Sequence, residues 1–240
     1  MVAMRWFVFL IVFSVHANEI KKNASLLYKN NNFEEAKNLI QTFLLKHPSD
    51  MEAIELAGDI SIAQKNWDEA IRYFEKLIRF DSKNADYQYK YGGTLGMKAL
   101  SVSKWESLSY LGDMRKAFEK SISLDPYHLG AHWALISFHC EVPGILGGSR
   151  KKANKYAQSL IRLSTLDGLL AYAFLAQQEG KKELAEKFLD EAKINVNSNQ
   201  AKEQLLFIYK QITYHNKIDF EEFMKLTQKY RPESVAKKIS

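Results

Sequence analysis

The feature that most constrains this chain is a self-match at a spacing of 34 residues, in which Asn32-Phe33-Glu34-Glu35-Ala36 returns as Asn66-Trp67-Asp68-Glu69-Ala70. Ala24, Gly58 and Gly92 keep the same spacing, as do Ile40 with Phe74 and Phe43 with Leu77. A period of this length, with small residues at fixed points, predicts a stack of helical hairpins in which each unit packs on its neighbours. The composition agrees. Proline and glycine number only 4 and 11, which suits long helices, and 46% hydrophobic with 26% charged residues argues against disorder.

The unit at 51–84 carries the pattern most completely. Ala57-Gly58 sits in its first helix, Trp67 opens the second, and Asp68-Glu69-Ala70, Phe74-Glu75-Lys76 and Ile78 follow. Gly58 and Ala70, twelve residues apart across the turn, allow the two helices to approach, and large apolar side chains fill the remaining space. These residues resemble the tetratricopeptide repeat, a family of antiparallel helix pairs. The resemblance covers about 18–230. It implies an all-α fold, a right-handed superhelical solenoid of about five to six pairs. First helices would line its concave side, and the surface would hold partners rather than catalyse.

The other units vary the pattern. The first, 18–50, carries Ala24, Ala36 and Phe43 and closes at Pro48. The third is stretched: Phe118-Glu119-Lys120 follows Phe74-Glu75-Lys76 by 44 residues, so ten extra residues lie between Gly92 and the second helix. Leu100, Val102, Trp105, Leu108 and Leu111 fall in this insertion, which therefore reads as helix rather than loop. Met114 takes the small position, implying a looser approach there. The fourth unit, 127–165, gains five residues around Pro143-Gly144-Ile145-Leu146-Gly147-Gly148-Ser149. The fifth, 167–196, turns at Gly180 and sets Ala173 and Ala185 twelve apart. A sixth pair at 199–229 ends in polar residues, as a terminal cap must. The long third unit followed by the glycine loop is similar to an exported bacterial subgroup of this family, whose role is unassigned.

Residues 1–17 read as a secretory signal: Arg5, an apolar run from Trp6 to Val15 broken only by Ser14, and Val15-His16-Ala17 before a predicted cut at Asn18. The organisation is thus a signal at 1–17, a repeat domain at 18–232 and a frayed tail at 233–240, with export to a periplasm, or secretion, as the expected destination. After Ala17 no apolar run approaches the roughly 20 residues that span a bilayer. Losing Arg5 lowers the formal net charge from +6 to +5, with lysines interleaved among acids, so nucleic-acid binding is not expected. Cys140, the single cysteine, lies in an apolar stretch and reads as a structural thiol.

Two places are candidates for binding. By spacing, Tyr89, Gly93, Trp133, Ser137 and Phe174 point inward from first helices and would form an aromatic groove for an unidentified protein or peptide. The competing reading packs Trp133 and Phe174 as core. A terminal-carboxylate clamp of the family's kind is disfavoured, because only Lys21 fits while Ser25 and Leu56 stand where asparagines would be. The second candidate is Gly147-Gly148-Ser149, whose exposed amides at a helix N-terminus would hold a small anionic molecule. Its competing reading is a tight turn with Ile145 and Leu146 tucked into the stack. His128 and His132 share a helix face but lack a third ligand by pattern, and no nucleophile motif, metal site or cofactor site is read. The expectation is a non-enzymatic adaptor, with an anion receptor as the rival.

Overall fold

The computed structural model describes residues 18–194, and every regular element among them is helical. The signal segment, the sixth pair and the tail lie outside the described residues. In chain order the helices are α1 (18–29), α2 (Phe33–Lys46), α3 (Met51–Ala63), α4 (Trp67–Phe80), α5 (Ala85–Ser101), α6 (Lys104–Leu124), α7 (Leu129–Glu141), α8 (Arg150–Leu163), α9 (Thr165–Gln178) and α10 (Lys182–Ile194). A 3-10 turn, Gly144–Leu146, joins α7 to α8. The described residues therefore make ten successive helices in the order the period predicts. They divide into two compact units, with the boundary between Tyr110 and Leu111.

In the N-terminal unit the repeat governs backbone as well as side chains. Asn31 and Lys65, one period apart, both take left-handed φ values, 62° and 60°, in the turns before α2 and α4. Each following helix places acids in its first turn, Glu34 and Glu35 or Asp68 and Glu69, where the helix dipole favours negative charge. Asp50 caps α3 by accepting the Ala53 amide, and Asn84 caps α5 by accepting those of Asp86 and Tyr87. One apolar cluster gathers Ala24, Ala36, Ile40, Phe43, Ala57 and Ile60, and a second gathers Ile54, Ala70, Phe74, Leu77 and Tyr87. The smallness of Gly58 serves the Phe74 ring, since a methyl group there would lie 2.8 Å from its tip.

The lengthening of the third pair is shared between its helices. α5 has 17 residues against 13 in α3, and α6 has 21 against 14 in α4. The extra turns are not covered by core: Leu100 is exposed and Trp105 is 86% exposed.

The C-terminal unit has a core of its own. Trp133, Ile136, Ala153, Ala157, Leu160, Leu170, Ala173, Phe174 and Leu189 form its core. A methyl group on Gly168 would fall 2.2 Å from the Ile161 Cα, so α9 crosses the backbone of α8 where only glycine fits. Ser164 caps α9 by accepting the Asp167 amide, and its hydroxyl donates to the Asp167 carboxylate at 2.6 Å. The other oxygen of that carboxylate accepts the Trp133 indole N–H at 2.9 Å, which pins α7 to the start of α9.

Candidate functional site

All five groove candidates lie inside the structure. Tyr89 is 5% exposed, Trp133 2%, Ser137 4% and Phe174 1%, and Gly93 is also buried. Trp133 and Phe174 are core side chains of the C-terminal unit, as the competing reading had them. The physical reason is that first helices here are apolar on nearly all sides: α7 buries nine consecutive residues, Ala131 to His139. Spacing alone gives direction around a helix but not what the next helix covers.

The polar face of the N-terminal unit is built by other residues. Lys21 donates to Asp50 and to Glu52, and Lys90 donates to Glu55 at 2.8 Å and to both oxygens of Asp59 at 2.8 and 2.7 Å. Burial works against the Lys21 charge, but its hydrogen bonds to Glu52 and Asp50 outweigh that and raise its pKa. The same balance, struck by Asp59 and Glu55, holds Lys90 well above the ordinary lysine value. Burial pushes the Tyr28 hydroxyl upward, and the charge on Asp59 adds to it. Four carboxylates thus face two ammonium groups, leaving an acidic excess. The signal was present in the sequence, since Lys90 follows Glu55 and Asp59 by 35 and 31 residues, close to one period. With Lys21 already engaged by two carboxylates, a terminal-carboxylate clamp loses its one matching residue.

The glycine loop has spent its amides. Gly147 N–H donates to the Gly144 carbonyl, Gly148 N–H to Pro143 and Ser149 N–H to His139, all at 3.1 Å or shorter. The Ser149 hydroxyl accepts the Lys152 amide and caps α8. Gly147 takes φ 105°, and a methyl on Gly148 would lie 1.6 Å from the Val142 carbonyl oxygen. These two glycines allow a tight turn, and the amides expected to meet an anion close that turn instead. The apolar pair is not tucked away, however: Ile145 is 94% exposed and Leu146 is also exposed.

The histidines of α7 are interior groups. His128 caps the helix through Nδ1, which accepts the Ala131 amide at 3.1 Å, and the His132 Nε2 lies 3.0 Å from the Pro126 carbonyl. His139 stacks on Tyr156 at 5.9 Å between centroids. Among the described residues no three acidic, histidine or cysteine side chains converge as metal ligands, and no helix is long and apolar enough to cross a membrane.

Residues 21–85 match the tetratricopeptide repeat family. The fold is that of tetratricopeptide helix-pair stacks. A thermophilic TPR protein from Thermus thermophilus superposes with a TM-score of 0.62 at 14% identity, over 80% of this chain and 98% of that one. PilF of Pseudomonas aeruginosa superposes at 0.58 with 16% identity, over 91% and 93%. YrrB, described as a TPR protein with an unusual peptide-binding site, superposes at 0.51 with 19% identity, over 80% and 90%. No curated protein matches the chain.

Proposed function

We propose that this chain is a non-enzymatic adaptor that holds a protein or peptide against the first-helix face of its N-terminal unit. The observation that carries the reading is the ion-paired ridge of Lys21, Asp50, Glu52, Glu55, Asp59 and Lys90, whose side chains are fixed by one another before any partner arrives. Fixed polar groups lose less freedom on binding than mobile ones. The peptide-binding site described for YrrB supports the reading by analogy of fold. The acidic excess favours a partner segment rich in lysine or arginine. Export through residues 1–17 to a periplasm, and membership of the exported subgroup with the long third pair, belong to the same proposal. The rival anion receptor is weakened by the engaged amides of Gly147, Gly148 and Ser149.

The test is affinity capture from periplasmic extract with the wild-type chain and with Glu52→Lys, whose carboxylate is largely exposed. Partners retained by the wild type and lost with Glu52→Lys support the ridge. An unchanged set of partners removes it.

A further inference from the structure

The α7 histidines sit where a positive charge has little to meet it. His139 is 1% exposed, and neither ring nitrogen closes a hydrogen bond. The Gly147 backbone lies beside the ring and is the one polar group of the loop that favours its charge. From α6 the ring is faced by Arg115 and Glu119, and from α8 by Lys152 and by Tyr156, on which it stacks. Two of these neighbours are cations and one is an anion. His132, seven residues earlier, is 4% exposed, meets Tyr156 in a T-shaped contact at 6.0 Å between centroids, and keeps an unpartnered Nδ1. Its charged surroundings are His128 and Asp125, with the Pro126 carbonyl at Nε2. From α9 the charged group that meets α7 is Asp167, which accepts the Trp133 indole N–H.

The backbone carbonyl of His139 accepts the Ser149 amide that fixes the start of α8. The ring and the loop are therefore joined at one residue. We propose that His132 and His139 form an acid-sensitive latch on the α7–α8 hairpin: protonation expels the rings from between α6, α7 and α8 and frees the Pro143–Ser149 loop, while the N-terminal unit stays folded.

The direction follows from linkage. Burial lowers the pKa of both histidines, and for His139 the nearby Lys152 and Arg115 lower it further. A group whose folded pKa is depressed contributes stability that is present above its unfolded value, near 6.5, and lost as pH falls through the folded value. In the N-terminal unit the described histidine is His47, which is half-buried and stacks on Phe43, so that unit lacks such a row.

Hydrogen exchange of the full chain between pH 7.5 and 5, corrected for the intrinsic pH dependence of the chemistry, tests this. Each histidine contributes up to about a tenfold loss of protection per pH unit below its unfolded value. Residues 135–160 should lose protection in that range while 51–80 keep it, and His139→Phe should reduce the loss. Equal change in both segments, or none in either, overturns the latch, as does an unaltered loss in His139→Phe. Should that variant misfold, nuclear magnetic resonance titration of His139 in the wild-type chain decides: a value below the ordinary histidine range supports the latch, and one at or above it overturns it.

Discussion

Helices of the N-terminal unit are tied to one another by ion pairs reaching about one repeat along the chain: Lys21 to Glu52, Lys37 to Glu69, Lys90 to Glu55 and Lys98 to Asp68, separated by 30 to 35 residues. In the C-terminal unit, Arg115 with Glu119, Lys116 with Asp113, Lys181 with Glu179 and Lys193 with Asp190 join near neighbours. There the indole of Trp133 on Asp167 and the Arg150 guanidinium on the Gln178 carbonyl reach about one repeat, while the stacked rings of His139 and Tyr156 and a glycine crossing join successive helices. The turns differ likewise: Asn31 and Lys65 bear left-handed backbone in one unit, Gly147 and Gly180 in the other. The same repeat geometry can thus be stabilised by charge or by close packing, and the two respond to different perturbations. Exposed pairs weaken with salt, whereas a close-packed crossing responds to volume.

The largest contrast should come from glycine. Gly168→Ala places its methyl group against the Ile161 backbone and is expected to cost about 3 kcal/mol or more, while Gly58→Ala meets only the end of the Phe74 ring and should cost about 1 kcal/mol. Urea midpoints of the two variants check this. Equal losses would mean that α8 and α9 cross less closely than described.

Next in size, Lys90→Met leaves Glu55 and Asp59 without their cation and should lower stability by about 3 kcal/mol. Adding Glu55→Gln and Asp59→Asn should restore much of that loss in chemical denaturation. If Lys90→Met is neutral, the triad does not hold the N-terminal unit. The pH sign is opposite to that of the histidines: the raised Lys90 value gives stability present below the ordinary lysine value and lost only as pH climbs through the folded one.

Smaller is the turn effect. Lys65→Gly relieves a left-handed lysine and should gain about 0.5–1 kcal/mol, whereas Gly180→Ala should lose about 1 kcal/mol. Thermal melts showing the same sign for both would break the turn comparison. Smallest of all, Ile145→Ser alters a side chain standing in solvent and should move stability by less than about 0.5 kcal/mol.

The fold was legible because a period of 34 constrains backbone and core together. Ala24, Ala36, Ala70, Ala173 and Ala185 are all fully buried. The helical nature of the third-unit insertion and the start of α8 after Ser149 were also readable, from apolar content and cap chemistry. The groove was not. Tyr89, Trp133 and Phe174 lie on first helices, but whether an inward side chain meets solvent or the next helix depends on how α7 and α9 are covered. At the glycine loop Gly147 and Gly148 show that the backbone turns sharply, as the competing reading had it, but not which carbonyls its amides then meet. The repeat-spaced pairing of Lys90 with Glu55 and Asp59 was within reach of the period, because residues about 34 apart lie side by side on successive first helices.

Cys140 closes α7 beside Arg150, half-buried, with its thiol pushed up by burial to about 11 against the pull of that guanidinium. Since thiolate is the reactive form, the folded chain should alkylate about a hundredfold more slowly at neutral pH than an ordinary cysteine would. The rate at which a maleimide finds this sulfur is therefore a built-in stopwatch for breathing at the end of that helix, readable by mass spectrometry without adding a probe to the chain.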